Sequence, residues 1–386
     1  MPAIYRLTGA VKNYDWGGVS FIPSLLQQEN KGNKPFAEYW MGTHDGGKAE
    51  VETGEDIVSL IGHLPFLFKV LDVKNMLSIQ VHPSKEAAKK EFARENEAGI
   101  PLSSPKRNYK DDNHKPELMV ALSDFWLLHG FKPAEELVYT LLNVVELREL
   151  LQVFNATGYG GLYKHVMEMP QEEVNRILQP LINNIAETFK NGKADKYDED
   201  FWVVRAAQTF TINGNVDRGI FSIYLFNLVH LKKGEGIFQD AGVPHAYLEG
   251  QNVEIMANSD NVLRGGLTSK HIDVKELMKH VRFEATQPAI ISPVVINSDE
   301  KIFPVPVPDF QLSVIELNAD QVTSFSTVVP EILLLTAGAA ELSSNESTIE
   351  LKPGFPSALL LPGNAITVKG LSKATVFRAS LPVNSR

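Results

Sequence analysis

The chain of 386 residues contains no cysteine, which removes disulfide scaffolds, thiolate nucleophiles, iron–sulfur clusters and cysteine-type zinc sites together. Any metal it binds must sit on nitrogen and oxygen ligands. It also lacks a basic face: 37 Lys and Arg stand against 47 Asp and Glu, a formal net charge of −10, and no Lys/Arg run exceeds two residues. Nucleic acid and anionic membrane surfaces are therefore excluded as general partners, and the charge of any anionic ligand must be met locally. Long hydrophobic runs are missing as well. The longest, Ile332–Ala340, already holds Thr336 and Gly338 and falls far short of the roughly 18 residues of a membrane span. Met1–Gly18 carries Lys12, Asp15 and Trp16 without a signal-peptide pattern, so a cytoplasmic location is expected.

What is present is globular material: 44% apolar and 22% charged residues, with a length that suggests roughly two or three domains. The first 82 residues read as short strands and turns, among them Pro65–Leu71 and Met76–His82. Ser84–Gly99 switches to Lys, Glu and Ala, with Gly99 placed to end a helix. After the polar loop Ser103–Lys115, Glu117–Leu128 is again strand-like. Pro133–Thr209 then repeats Leu, Val and Ile at helical intervals, as in Leu137, Leu141, Leu142 and Val145. Alternation resumes from Ile223, Asp273–Val281 reads as one helix, and the last hundred residues are strands. Leu231–Gly250 and Leu351–Gly370 share Leu, Lys, Gly and a closing Gly at equal offsets, 120 residues apart. If this is a duplication, the unit is a jelly-roll hairpin in which His245 of the first copy faces Ala365 of the second.

Three polar faces stand out. In Ser78-Ile79-Gln80-Val81-His82 the strand period of two puts Ser78, Gln80 and His82 on one side. In His114-Lys115-Pro116-Glu117, Pro116 biases Lys115 toward extended backbone, so Lys115 and Glu117 share a face. In Gly242–Glu249, His245, Tyr247 and Glu249 lie opposite Ala246 and Leu248. Gln80, His82, Glu117 and His245 supply four N/O donors, enough for a tetrahedral or five-coordinate zinc with an open position, although spacing alone also admits iron, manganese, cobalt or nickel. One carboxylate beside neutral ligands leaves a zinc centre at about +1, suited to stabilising an oxyanion.

The segments NYDWGG (Asn13–Gly18), EYWMGTH (Glu38–His44), PFLFKVLDVKNMLSIQVHP (Pro65–Pro83), NYKDDNHKPEL (Asn108–Leu118), PHAYLEG (Pro244–Gly250) and EIMANSDNVLRGGLTSKHID (Glu254–Asp273) resemble the type I phosphomannose isomerases, in order over about 260 residues. The C-terminal hundred residues resemble them less, and the helical stretch hardly at all. The resemblance implies a mainly β protein of two cupin (jelly-roll) β-barrel domains with an inserted α-helical domain. Residues 1–128 with 210–282 would form the catalytic cupin, 129–209 the helical domain, and 283–386 a second cupin-like domain without a metal site. It implies a zinc-dependent aldose–ketose isomerase, one Zn2+ per chain, interconverting mannose 6-phosphate and fructose 6-phosphate through a cis-enediol(ate).

Carried over residue by residue, the metal ligands fall on Gln80, His82, Glu117 and His245, the set that spacing selects. The active-site arginine falls on Arg264, with Lys115, Tyr247, Glu254 and Asp260 as further catalytic candidates. Lys69, Ser78 and Lys270 are candidates for the phosphate, helped by the Gly265-Gly266 pair, whose backbone N–H groups could approach an anion. Trp16 and Glu38 are either pocket walls or buried structural residues. The expected partner is a small sugar phosphate, with no nucleic acid and no membrane, and a monomer is expected. A metal-dependent cupin oxygenase and a sugar-phosphate-binding cupin without catalysis are the competing readings. Gln80 and Lys270 speak against the first, and the intact ligand set with Arg264 and Lys115 against the second.

Overall fold

The computed structural model describes residues 2–190 and 195–382. Met1, the stretch 191–194 and the end of the expected C-terminal domain, 383–386, lie outside them. The protein is mainly β, in three sheets of eight, ten and four strands. None of the sheets closes into a barrel among the described residues. The sheets are open and stacked face on face.

Period-two alternation builds the stack. Along Phe66–Val73, Phe66, Phe68 and Val70 face one way. They meet Tyr39 and Met41, Leu118 and Val120, and Val253 and Ile255 from neighbouring strands in one core, against Leu312, Leu334, Leu359 and Phe377 of the eight-stranded sheet. The other face of that sheet packs Ile315, Leu333, Leu360 and Val376 on Leu342, Leu351, Ile366 and Val368 of the four-stranded sheet. Each fully buried side chain of this size stabilises the fold by about 1.5–3 kcal/mol. The alternate residues of the ten-stranded sheet, Glu38, Lys69, Glu117 and Glu254, are left facing a cleft.

Helices fill the stretch where they are expected: Ala134–Asn143, Arg148–Glu168, Gln171–Lys190 and Glu199–Phe210. Their apolar sides share a core with Ile79, Val81, Ala246 and Leu248 behind the cleft. Lys85–Glu97 is a helix whose N-cap Ser84 accepts from the Ala87 N–H, and Gly99 follows it at φ +68°. Asp273 caps Val274–His280 in the same way. Alternation starts later than Ile223, because Ile220–Leu225 is a short helix of fully buried side chains.

Two features cut across the linear reading. The N-terminal strand Ile4–Thr8 pairs with Ser357–Leu360, so the first residues of the expected catalytic domain complete the sheet of the C-terminal strands. The 120-residue repeat coincides in structure at several points. Leu231 and Leu351 each end a strand, Gly234 and Gly354 both turn at positive φ (+89° and +94°), and His245 and Ala365 each begin a strand.

Candidate functional site

The cleft has a volume of about 690 Å³ and lies between the ten-stranded sheet and the helical layer, whose Thr209, Phe210 and Ile212 form one wall. Strand parity delivers the site. His245 opens the long strand His245–Ala257, opposite Gln80 of the short strand Gln80–Val81, and Arg264 pairs with Gln80 from the other side. The strand expected from Ser78 is shorter than the alternation suggested. Ser78 lies in irregular backbone but still lines the cleft. Glu249 departs from the face of His245 and Tyr247. A bulge between Tyr247 and Glu249 turns it toward Arg205 and Lys196, which both bind its carboxylate.

At the floor, one donor atom from each of His82, Glu117 and His245 lies within 4.8 Å of the others. His82 Nε2 is 3.5 Å from Glu117 Oε1 and His245 Nε2 is 3.4 Å from Glu117 Oε2. Each histidine is oriented from behind: His82 Nδ1 lies 2.8 Å from the Asn261 carbonyl and His245 Nδ1 3.0 Å from that of Val243. Nδ1–H therefore donates outward, and the Nε2 lone pairs converge beside Glu117. His82 Nε2 is buried without a hydrogen-bond partner, the signature of a ligand atom. Burial pushes the His82 ring down to about 4, which keeps it neutral. Burial opposes the charge on Glu117, but the Lys115 ammonium outweighs it and holds the carboxyl well below the usual range. Two imidazoles and one carboxylate, with Gln80 lining the same cleft, form a donor set that fits zinc.

Lys115 Nζ donates to Glu117 Oε1 at 2.7 Å, with both side chains buried. Above them, Lys69 Nζ is 2.7 Å from Glu254 Oε1 and 3.6 Å from Glu38 Oε1. Tyr247 Oη donates to Glu254 Oε2 at 2.7 Å, and Trp40 Nε1 to Glu38 Oε2 at 2.6 Å. Burial raises the Glu254 carboxyl above the ordinary glutamate value, partly offset by Lys69. Burial and the neighbouring Glu254 push the Tyr247 hydroxyl far up, so it remains a donor. Asp260 sits at the exposed rim, held low first by its bond to His44.

Arg264 and Lys270 also line the cleft, and neither has a carboxylate partner among the described residues. Burial lowers both, and Arg264 further lowers Lys270, as expected for two cations facing one space without an anion. Lys69, expected to meet phosphate, lines the cleft with its charge already answered by two carboxylates. Of the glycine pair expected to approach an anion, Gly265 N–H donates to Ile79 O; further along the loop Leu267 and Thr268 N–H donate to Asp217, and Lys270 N–H to Thr268 Oγ1. The glycines serve packing instead, since a Cβ on Gly265 would stand 2.5 Å from Tyr163 Oη.

Two residues were not singled out from sequence. Asn261, fully buried, accepts from Lys110 N–H, donates to the Asp111 and Asn113 carbonyls, and carries the carbonyl that orients His82. Its place in the motif between Asp260 and Arg264 was the available signal. Asp217 lies in none of the matched motifs.

The sequence model of the phosphomannose isomerase type I catalytic domain matches residues 4–61 and 52–134. The chain is 38% identical over 391 residues to a mannose-6-phosphate isomerase of Escherichia coli (strain K12), covering 95% of this chain and 97% of that one. It is 31% identical to one of Rattus norvegicus, covering 99% and 97%. Among solved structures, mannose 6-phosphate isomerase from Salmonella typhimurium bound to its substrate and a zinc atom superposes with a TM-score of 0.86 at 34% identity, covering 99% of this chain and 100% of that one. At this identity over nearly the whole length, the chain belongs to the type I phosphomannose isomerase family.

Proposed function

We propose that this chain is a zinc-dependent isomerase interconverting mannose 6-phosphate and fructose 6-phosphate. The observation that carries the reading is one cleft with a convergent His82–Glu117–His245 donor set on its floor and two cations on its wall, Arg264 and Lys270, without a carboxylate partner among the described residues. An oxygenase would have no use for those cations.

Gln80, His82, Glu117 and His245 would hold the zinc, which when bound acts as a Lewis acid toward charge developing on sugar oxygens. Glu254 takes the proton from C2 of the aldose and returns it to C1, while the hydroxyl proton passes from O2 to O1. Its carboxyl is raised toward the working range of a general base and fixed by Tyr247 and Lys69. Lys115 and Asp260 face the same space and set its charge. Arg264, always protonated, binds the oxygen on which negative charge develops. Lys270 and Ser78 receive the phosphate, and Lys69 positions Glu254.

The coinciding turns and strand starts of the 120-residue repeat support two cupin units, 1–128 with 210–282 and 283–386, flanking a helical insertion at 129–209, with Ile4–Thr8 of the first crossing into the sheet of the second. In the second unit Ala365 stands where His245 stands in the first. No helix among the described residues is long and apolar enough to cross a membrane. We take the chain to act as a cytoplasmic monomer on a small-molecule substrate.

Conversion of mannose 6-phosphate by the purified protein should vanish on chelation and return with added zinc. Absence of conversion in zinc-loaded protein would refute the assignment. Lys270→Ala should raise KM about tenfold at unchanged zinc content and near-normal kcat, as expected for loss of uniform substrate binding. An unchanged KM would remove Lys270 from the phosphate seat.

A further inference from the structure

Asp217 lies in the segment that returns from the helical layer, between the helices Glu199–Phe210 and Ile220–Leu225. Its carboxylate points at the loop after Arg264. Oδ1 accepts from Gly219 N–H at 2.7 Å and Leu267 N–H at 2.8 Å, and Oδ2 accepts from Thr268 N–H at 3.3 Å. Leu267 is a fully buried non-glycine residue at φ +51°, a conformation that persists only where its surroundings over-determine it. Gly219 has no room for a side chain: a Cβ there would stand 2.5 Å from Leu267 N.

The two cations of the cleft hang on this loop differently. Arg264 is fixed upstream by the pairing of Leu263 and Arg264 with Val81 and Gln80, and by Gly265 N–H to Ile79 O and Ile79 N–H to Gly266 O. Lys270 lies beyond the turn at Leu267, tied by its N–H to Thr268 Oγ1 at 3.1 Å, and Thr268 is itself held by Asp217. Release of the carboxylate would let Leu267 leave the left-handed region, redirecting the chain toward Lys270 while Arg264 and the metal ligands stayed in place.

We infer that Asp217 is a positioning residue for the substrate's phosphate: it clamps the left-handed turn at Leu267 and so sets the seat of Lys270, coupling the helical layer to substrate binding. This rests on the phosphate role of Lys270 proposed above.

The test is Asp217→Ala, read by zinc content, kcat, KM for mannose 6-phosphate and the affinity for inorganic phosphate. KM and the phosphate dissociation constant should both rise about tenfold, with kcat within about twofold and zinc unchanged. In a Lys270→Ala background Asp217→Ala should add little, because both changes act on one interaction. Gly219→Ala, which pushes the loop off the clamp and leaves the carboxylate intact, should reproduce the rise in KM; it decides the matter if Asp217→Ala folds poorly. Unchanged KM and phosphate affinity in a folded clamp variant, or a full additional effect on top of Lys270→Ala, would overturn the inference. Should the wild type bind phosphate without converting the sugar, the isomerase reading fails, and phosphate affinity alone still judges the clamp.

Discussion

Glu117→Ala is expected to lose bound zinc and isomerase turnover together, with activity falling to the background of the metal-free protein. Glu117 is the one carboxylate of the donor set, and its two oxygens face the Nε2 atoms of His82 and His245 separately. Without it the two neutral imidazoles and Gln80 offer a dication no charge compensation. Removal also strands Lys115, whose buried ammonium is paired with Glu117 Oε1 at 2.7 Å. Breaking one side of a buried pair costs about 3–5 kcal/mol, so the variant should also melt earlier than the wild-type apoprotein. Glu117→Gln keeps the shape and separates the two effects: it should fold better than the alanine variant and still lose zinc. Elemental analysis beside a coupled assay reads both, and full turnover in a zinc-free sample of either variant would sink the assignment of the metal.

His82, Glu117 and His245 converge from three separate segments, and that convergence is legible because strand alternation is a local property. Gln80, Glu117 and His245 alternate with the core residues Val81, Leu118 and Ala246, and that contrast is written in consecutive residues. Where alternation broke, the cause was local. A bulge carried Glu249 away from the cleft, and irregular backbone replaced the strand at Ser78. The state of Lys69 was not legible. On paper it is a lysine in a matched motif. In the fold two carboxylates, from Glu38 and Glu254 on the two flanking strands, neutralise it, and the pairing with Glu254 depends on the register between segments nearly two hundred residues apart. The placement of Ile4–Thr8 beside Ser357–Leu360 is hidden for the same reason. Long-range pairing leaves no periodic trace, so the sequence does not single out Asp217, whose carboxylate holds the turn after the Gly265-Gly266 pair.

Glu254→Gln is expected to keep zinc and near-normal KM and to lower kcat by about 10²–10⁴, the range for removal of a general base. The carboxyl is almost fully buried, lines the cleft and receives Tyr247 Oη and Lys69 Nζ on its two oxygens. Burial raises it above the ordinary glutamate value of about 4.3. The sign of the pH effect follows. The base works as carboxylate, so kcat/KM should fall as pH drops through the raised value, placing the acid limb above that of an exposed glutamate. In Glu254→Gln that limb should vanish from the residual activity. Lys115→Met provides the contrast. If Glu254 carries the proton, Lys115→Met should lose less turnover than Glu254→Gln and retain the acid limb. The opposite ranking, with normal turnover in Glu254→Gln and loss in Lys115→Met, would transfer the proton step to the lysine. Geometry favours Glu254, because Tyr247 and Lys69 hold its buried carboxyl in the cleft without any rearrangement.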